Sequence, residues 1–543
     1  MKIKYFIILF ALIFIVQSCK EDFMDIKNPN AFDATTFYID ATNCERSVDA
    51  IYTIMLHKGM FSRDWYFNFD LLGNEAGPLA PLQGPIAELP RSVYDATNDP
   101  ITSMWDRLYR MILRANYSLE VVSKWTPNTD ADKELQARYI GEAKFFVGFA
   151  YYHLASLWGS VPLRKNFTET AANPNCARSS AEEVFAFAEK NLIDAAAALP
   201  DRYPDKDNGR ATQWAAKAFL GKLYIMQGKW STAQPIFQDI VNNGGYIMEP
   251  GVQGFENEFL KVNRNSKETI FDCKFAWYGW GNANMYHMFD GTELWGSKGA
   301  TSGRALEYGF MEGDWSNVNI TSSAVKKFKY DINSTTGYVD PRASCTFYGD
   351  GGYGGDMDCF RGAYAFDTPV TYADGTTMSV KGWRWKKYEE YEDQYSEMDP
   401  RIPGVDGGPA SEISTIITRL ADIKLLYAEC LIQANDLSGA LTQINDVRAR
   451  VGAVAYGSLG DQTQGMVILK RERELELCGE QQRWFDLLRW HRNGKIFDMI
   501  QILNSERDSQ GVTGGFTEKY LLLPIPQNEK DVNKLCEVTN GWN

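Results

Sequence analysis

The sequence predicts a mainly α-helical protein whose scaffold of paired helices is interrupted by an irregular lobe of loops and short strands. Apolar residues recur at helical spacing toward both ends of the 543-residue chain, and one helix-pair pattern occurs more than once. Residues 249–414 instead contain many Gly and short β-like runs such as ETIFDCKFAWYGW. We therefore expect one domain over residues 31–543, with the scaffold at about 31–248 and 415–543 and the lobe at about 249–414.

The N-terminal segment has the pattern of an export signal. Lys2 and Lys4 precede an apolar run of twelve residues, which is too short to span the ~30 Å hydrocarbon core of a membrane. The VQSC that follows resembles the lipobox of bacterial lipoproteins, which implies a signal peptide at residues 1–18, lipidation of Cys19 and a tether at 19–30; an ordinary secretion signal is the alternative. The next residues, KEDF, resemble the surface-export signal of Bacteroidetes lipoproteins and imply a lipid-anchored protein outside the cell.

Helical periodicity dominates the part of the chain that follows the tether. The segment ITSMWDRLYRMILRANYSLEVVSKW carries an apolar stripe at positions three and four apart. Before it, residues 61–100 are rich in Pro, Gly, Asn and Asp, so we expect a long loop on the scaffold, where binding residues tend to lie. The stripe consists of Trp105, Leu108, Ile112, Ala115 and Leu119.

A helix-pair repeat then appears. In AAKAFLGKLYIMQGKWSTAQPIFQDI, small and aromatic residues have the spacing of a tetratricopeptide pair, in which Gly221 lets the helix of Phe237 approach closely. A second copy in IKLLYAECLIQANDLSGALTQINDVRARVG has Ala428 in place of Gly221 and Asn435 in place of Gly228. An earlier segment, ELQARYIGEAKFFVGFAYYHLASLWGSVPL, shows the same small/aromatic alternation. The predicted scaffold is therefore tetratricopeptide-like.

The stretch LKRERELELCGEQQRWFDLLRWHRNG is unusually rich in charge. Taken as one helix, it places Arg473, Glu476, Glu480 and Arg483 on a single stripe. The two acids could form an acid/base pair or an ion network that joins helices. Each acid lies three residues from an Arg, so we expect local charge compensation and a structural clasp, with Trp484 on the neighbouring face.

Composition and motifs argue against several classes of function. The net charge of −14 and pI near 5.0 disfavour nucleic acid as a partner. The chain contains no HExxH, GxSxG, P-loop or dinucleotide-binding pattern, and its four His and its Cys lack zinc-ligand spacing. Asp350, Asp356 and Asp358 could hold a structural Ca²⁺, but they lack EF-hand spacing, so a solvated Gly-rich loop is favoured. We expect no cofactor and no catalysis.

Seven segments in order resemble the SusD/RagB family of Bacteroidetes outer-membrane nutrient-binding lipoproteins. This resemblance implies a tetratricopeptide-like scaffold that docks on a SusC-like TonB-dependent transporter, and a surface-exposed lobe that captures a glycan for uptake. A peptide or another nutrient is the alternative ligand within the same family, and a surface glycosidase is the alternative outside it. The segments are the lipobox at Cys19, GEAKFFVGFAYYHLASLWGSVPL, GRATQWAAKAFLGKLYIMQGKW, RLADIKLLYAECL, INDVRARVG, RERELELCGEQQRWFDLLRW and YLLLPIPQNE.

Aromatic residues outside the helical stripes are the best candidates for a glycan site. Aromatic residues make up 13% of the chain; sugar C–H faces pack on aromatic rings, and sugar hydroxyls need polar partners. The structural alternative is that many of these side chains form the core of the lobe. The candidates in the lobe are Trp277, Tyr278, Trp280, Asn282, Tyr286, Trp295 and Trp315, and those in the earlier loop are Arg63, Asp64, Trp65, Tyr66 and Asn74.

Overall fold

A computed structural model of the chain shows a helical body. It describes residues 37–78, 84–277, 299–300, 302–309, 317–329, 337–349, 355–356, 369–371, 377–379, 383–388, 402–403, 409–508, 515–536 and 542. The predicted signal peptide, Cys19 and the tether lie outside these residues. In the described part of the chain, no helix is both long enough and apolar enough to cross a membrane.

The N-terminal half is built from long helices with clear start signals. The Thr129 side chain accepts from the backbone N–H of Asp132, whose carboxylate accepts from Thr129 N in return, which caps the longest of these helices. Ser180 and Glu183 form the same reciprocal cap. The helices are α1 (Ala41–Tyr52), α2 (Asp64–Leu72), α3 (Pro85–Arg91), α4 (Asp99–Lys124), α5 (Asp130–Trp158), α6 (Phe167–Ala172), α7 (Ala181–Ala198), α8 (Gln213–Met226) and α9 (Trp230–Asn243).

The C-terminal half continues the helical scaffold after a middle region of short elements. The middle region contains α10 (Gly251–Asn257), α11 (Arg304–Tyr308), α12 (Ser322–Lys327) and α13 (Ala343–Thr346). The later helices are α14 (Leu420–Gln433), α15 (Leu437–Arg450), α16 (Gln462–Glu476), α17 (Arg483–Arg492), α18 (Met499–Asp508) and α19 (Gln527–Val532).

The predicted helix pairs are α8 with α9 and α14 with α15, and α9 packs directly on α14. A Cβ on Gly221 would lie 2.4 Å from Phe237 Cε1, so only glycine permits this close approach of α8 and α9. Gly228 ends the first helix of its pair at φ +70°, and Asn435 occupies the same position in the other pair at φ +62°. The tetratricopeptide-like pairing is therefore confirmed.

The strands are short and mostly paired in twos. The longest pair joins Thr269–Cys273 to Thr415–Arg419 in antiparallel register, which connects the two ends of the middle region to each other. The strands are β1 (Ala76–Pro78), β2 (Val161–Pro162), β3 (Arg178–Ser179), β4 (Thr269–Cys273), β5 (Ala276–Trp277), β6 (Gly299–Ala300), β7 (Val318–Ile320), β8 (Phe347–Gly349), β9 (Gly355–Asp356), β10 (Pro369–Thr371), β11 (Thr377–Ser379), β12 (Arg384–Trp385), β13 (Ile402–Pro403), β14 (Pro409–Ala410) and β15 (Thr415–Arg419).

The charge-rich stretch is two helices, not the single helix that the sequence predicted. Helix α16 ends at Glu476 and α17 begins at Arg483, with Gly479 at φ +76° and Gln481 at φ +59° between them. A Cβ on Gly479 would lie 2.7 Å from the Trp385 ring, which explains the glycine. Both the positive φ and the close packing of Trp385 therefore favour glycine at this position in the turn.

The predicted local compensation of the charged stripe is also wrong. Glu476 accepts hydrogen bonds from Arg342 and Arg419 at 2.8 and 2.7 Å and from Arg450. Glu480 accepts from Lys387 Nζ at 2.6 Å and from Arg419 Nε at 2.8 Å. The partners come from distant parts of the chain because both carboxylates are buried, where only other segments of the fold can supply a counter-charge. It is a structural clasp, as expected, but one made by tertiary ion pairs.

Candidate functional site

The segment predicted as a long exposed loop is mostly helical. A π-type turn over Lys58–Ser62 leads into α2, and β1 and α3 follow. Its predicted site residues are buried, so the expectation that they lie in an open loop is wrong. Their exposed fractions are 8% for Arg63, 0% for Asp64, 5% for Trp65, 1% for Tyr66 and 3% for Asn74.

Trp65 belongs to an aromatic cluster in the centre of the body. Its ring centroid lies 4.9 Å from that of Phe61, 4.8 Å from Phe69 and 4.9 Å from His153. Burial lowers the pKa of His153 to about 3, so the imidazole is neutral at physiological pH and its Nδ1 lies 2.8 Å from the Phe149 carbonyl. His153 is therefore a core histidine whose ring nitrogen is satisfied by the backbone.

Arg63 and Asp64 link α2 to α11. Arg63 Nε donates to Glu307 Oε1 at 2.6 Å, and its Nη1 donates to Asp64 Oδ1 at 3.2 Å. Burial raises the pKa of Asp64 to about 6, against the opposing effects of Arg63 and Lys58. These charges therefore hold two segments together that are more than two hundred residues apart in sequence.

The lobe candidates begin at a two-stranded hairpin. Strand β5 pairs with β6 so that Trp277 lies opposite Gly299. Five candidates fall between these strands, outside the described residues, as does Trp315 farther along the chain. The five are Tyr278, Trp280, Asn282, Tyr286 and Trp295, and the site role of all these residues stays a prediction.

The described parts of the two predicted site segments contact each other at a buried base that directly follows β6. After β6, Gly303 N donates to Ser62 O at 2.9 Å, directly beside Arg63. Tyr308 OH then donates to Asp70 Oδ2 at 2.9 Å, and its ring lies 5.3 Å from that of Tyr66. Helix α2 thereby fixes the point at which the chain leaves the hairpin.

Arg304 completes this base through aromatic contacts that the sequence analysis missed. Its guanidinium carbon lies 4.3 Å from the centroid of Tyr308, 4.8 Å from Tyr388 and 5.5 Å from Tyr66. Its Nη1 is 3.5 Å from Asp70 Oδ2. No local sequence signal identifies such a cluster, because its members come from three separate segments.

Asn74 is held at the other end of α2. It has φ +59°, and its Nδ2 donates to Glu506 Oε2 at 3.0 Å while its carbonyl accepts from Thr321 Oγ1 at 2.9 Å. A polar residue in a left-handed turn is typical of asparagine. In the structure it connects α2 to β7 and α18.

Asp70 and Glu75 are a pair of buried acids, which the glycosidase alternative would need. Burial raises the pKa of both acids, and the neighbouring charge of Asp70 adds to the rise for Glu75, whose pKa is about 8. Asp70 accepts from Gln481 Nε2 at 3.0 Å, and Glu75 accepts from Gly479 N at 3.2 Å. These contacts tie the acids to the turn between α16 and α17 and indicate a structural role.

No group of three or more His, Cys, Asp or Glu in the described residues could hold a metal ion. Of the residues predicted for a weakly supported Ca²⁺ site, Asp356 lies in β9, and Asp350 and Asp358 fall outside the described residues. The Ca²⁺ site therefore stays a prediction.

Comparison with known proteins decides the family. Residues 267–542 match the family model described as the SusD family, and residues 22–225 match a model described as starch-binding associating with outer membrane. The chain belongs to the SusD family. This confirms the SusD/RagB resemblance seen in the sequence and associates the protein with the outer membrane.

Relatives of this SusD-family protein share its length and fold. It is 24% identical to SusD-like protein P25 of Formosa agariphila over 100% of this chain and 99% of that protein. A SusD superfamily crystal structure from Bacteroides vulgatus aligns with a TM-score of 0.71 and 22% identity over 93% of this chain and 100% of that chain. A laminarin-binding SusD-like protein aligns with a TM-score of 0.70 and 20% identity over 92% and 99%. The predicted helical scaffold is confirmed by these similarities.

Proposed function

We propose that this SusD-family protein captures a glycan at the cell surface and delivers it unchanged to a SusC-like TonB-dependent transporter. The observation that carries the proposal is the match of both halves of the chain to SusD-family models, one of which is described as starch-binding. The similarity to a laminarin-binding protein supports a polysaccharide as the ligand class.

The ligand site that we propose is the segment between β5 and β6, which begins at Trp277. A binding loop needs a rigid support, because any freedom of the contacting side chains is lost on binding. The buried base around Arg63, Asp70 and Tyr308 supplies such a support at the point where the loop returns to the body. The proposed contacts are Trp277, Tyr278, Trp280, Asn282, Tyr286 and Trp295, with Trp315 beyond the hairpin.

Tethering explains how a binding protein without catalysis contributes to uptake. In this proposal Cys19 carries the lipid anchor and keeps the protein beside its transporter. Such a tether raises the local concentration of bound glycan at the pore, so that transfer behaves as an intramolecular step. The buried pair Asp70 and Glu75 is engaged by structural donors, which supports binding in preference to glycosidic cleavage.

Titration calorimetry against starch, laminarin and other polysaccharides tests the site. Trp277→Ala, Trp280→Ala and Trp295→Ala should each weaken binding by about 5- to 30-fold if the ring contacts the sugar. Trp230→Ala is the matched control, because this scaffold indole donates to Glu429 Oε1 at 3.1 Å, far from the hairpin in sequence. Unchanged affinity in all three hairpin variants would contradict the site assignment.

The alternatives need separate measurements. The chain length of a bound glycan should stay constant during incubation with the purified protein, and progressive shortening would show a glycosidase instead. A peptide library should bind more weakly than the best polysaccharide, and the reverse order would favour the peptide alternative.

Membrane anchoring and the transporter are tested in cells. Cys19→Ser should move the protein out of the outer-membrane fraction and abolish co-purification with a SusC-like transporter at normal expression. Retention in the membrane would contradict lipidation at Cys19.

A further inference from the structure

A cavity of about 600 Å³ lies between the ends of several scaffold helices. It is bounded by the C-terminal ends of α5 and α8, the start of α7, the end of α17 and the 3₁₀ turn Glu518–Leu521. Its volume falls in the range of about 300–1,000 Å³ that is usual for small-molecule sites. The residues that define its chemistry are Phe185, Met226, Leu522, Arg492, Lys229 and Lys519.

Arg492 is the most unusual residue of this cavity. Its Nη1 donates to the Ser156 carbonyl at 2.8 Å and its Nη2 to the Leu521 carbonyl at 2.9 Å. In the described part of the chain, no carboxylate lies within ion-pair distance of its guanidinium, whereas Arg489 on the same helix is paired with Glu429 and Asp486. Burial lowers the pKa of Arg492 to about 10, which is the expected effect on a cation that lacks a counter-charge.

The Ser156 and Leu521 carbonyls satisfy only part of the hydrogen-bonding capacity of the Arg492 guanidinium. Ser156 lies in the last turn of α5, where the helix dipole favours a cation, so a structural role for Arg492 is real. A guanidinium has five N–H donors, however, and these contacts use one on each terminal nitrogen. Donors remain for a ligand in the cavity that Arg492 lines.

The charge of the cavity lining also favours an anion. The cavity lining has more basic than acidic side chains, although the whole chain has a net charge of −14. The basic residues are Lys229, Arg492 and Lys519, and the acidic ones are Glu182 and Glu518. Glu518 is partly engaged elsewhere, because its Oε1 lies 3.7 Å from Lys495 Nζ. An anionic ligand would therefore supply the counter-charge that Arg492 lacks.

The apolar part of the wall limits what this anion is attached to. Phe185, Met226 and Leu522 offer ring and aliphatic surface beside the cation. A pyranose with a carboxylate matches both features, because its C–H face packs on apolar side chains and its carboxylate accepts two parallel hydrogen bonds from a guanidinium. We propose that this cavity is a second saccharide site, selective for a uronic acid unit held at Arg492.

This proposal rests on the proposed function only in taking the ligand to be a saccharide. The probe is D-glucuronate, titrated into the mature protein at low ionic strength, with D-glucose as the neutral control. Glucuronate should bind and glucose should not, because the charge-assisted contact is absent from glucose. Arg492→Gln should weaken glucuronate binding by about 10- to 100-fold.

Two further variants keep the test sharp if Arg492→Gln unfolds. Ala181→Trp places a large ring at the partly exposed start of α7, in the cavity wall, and should abolish glucuronate binding. The exposed pair Lys229→Gln with Lys519→Gln should weaken it by a few-fold. Binding of neutral polysaccharide at the hairpin should be the same in all of these variants.

Three outcomes would overturn the proposal, and a fourth would separate it from the proposed hairpin site. Absence of glucuronate binding, or binding that Ala181→Trp leaves unchanged, removes the site. Tighter binding of a short peptide through its C-terminal carboxylate would make the cavity a peptide site instead. Glucuronate binding at Arg492 without binding of any neutral polysaccharide would contradict the hairpin site and leave the cavity assignment in place.

Discussion

Replacing Glu476 with Gln tests whether the ion network at the end of α16 holds the scaffold together. The Glu476 side chain is fully buried and accepts hydrogen bonds from Arg342, Arg419 and Arg450. Burial alone would raise the pKa of Glu476, but these guanidiniums outweigh it and hold the pKa well below its usual range. Glutamine keeps the shape of the side chain and removes its charge.

The remaining partners set the size of the effect. Arg342 and Arg419 each keep two other carboxylate partners, whereas among the described residues Arg450 keeps Glu268, at 3.0 Å. Removing one partner of a buried ion pair costs about 3–5 kcal/mol, and the surviving pairs favour the lower end, about 3 kcal/mol. For a chain of this size that loss corresponds to a fall in Tm of roughly 3 °C.

Circular dichroism on thermal unfolding measures this change. Lys133→Gln is the matched control, because it breaks an ion pair with Asp130 whose side chains are 65% and 93% exposed, and it should alter stability by less than about 0.5 kcal/mol. A Tm for Glu476→Gln equal to that of the control would refute the reasoning. Loss of glycan affinity at unchanged Tm would instead place the network in the binding site.

Three further changes probe packing and pH dependence. Gly221→Ala sets a Cβ 2.4 Å from Phe237 Cε1 and should cost about 1–3 kcal/mol in urea unfolding; Gly457→Ala, with open space around its Cβ, should cost less than about 0.5 kcal/mol. Burial raises the pKa of Glu75 to about 8, so the protonated side chain stabilises the fold at low pH and this stabilisation is lost as pH rises through about 8. Above that pH, Glu75→Gln should be more stable than the parent protein. Burial opposes the charge of Glu506, yet neighbouring cations lower its pKa to about 2. Its contribution to the free energy of unfolding is therefore lost as pH falls from about 4 to 2, and Glu506→Gln should show a smaller loss of stability over this range.

The helix pairs were predictable because their signals are local. Gly221 and Phe237 belong to one continuous segment, and the turn of each pair needs a residue that tolerates positive φ, which Gly228 and Asn435 supply. The spacing of small and aromatic residues along one segment is therefore enough to predict this contact. The same holds for the reciprocal cap of Thr129 and Asp132.

The clasp was predicted in role but not in geometry. The spacing of Glu480 and Arg483 satisfies the rule for neighbours on a helix, but Glu480 lies in the turn between α16 and α17, so the rule does not apply to this pair. Arg483 instead donates to Glu506 Oε1 at 2.7 Å. A local rule fails here because Glu476, Glu480 and Arg483 are buried and have tertiary partners, which a single sequence does not show.

The candidate site shows the same difference between local signals, which the sequence contains, and long-range contacts, which it does not show. Polar composition suggested an exposed loop around Arg63, yet the polarity serves buried pairs such as Arg63 with Glu307 and Asp70 with Tyr308. Both pairs span more than two hundred residues of sequence, so composition could not distinguish them from solvated groups. No spacing rule shows how the two segments meet, and the structure joins them through the contacts of Ser62 with Gly303 and of Asp70 with Tyr308.

The buried ion pairs explain how one domain combines a fixed body with a binding loop. Ion pairs in a protein interior contribute little net stability compared with apolar packing, but a wrong arrangement leaves charges unpaired and is strongly disfavoured. Arg342 and Arg419, from the middle region and the strand that ends it, are paired with Glu476 on the scaffold, so the middle region has one favoured position. We therefore expect glycan binding to change the hairpin above this base and to leave the helix pairs in place, which hydrogen exchange with and without ligand would show as protection confined to the loop.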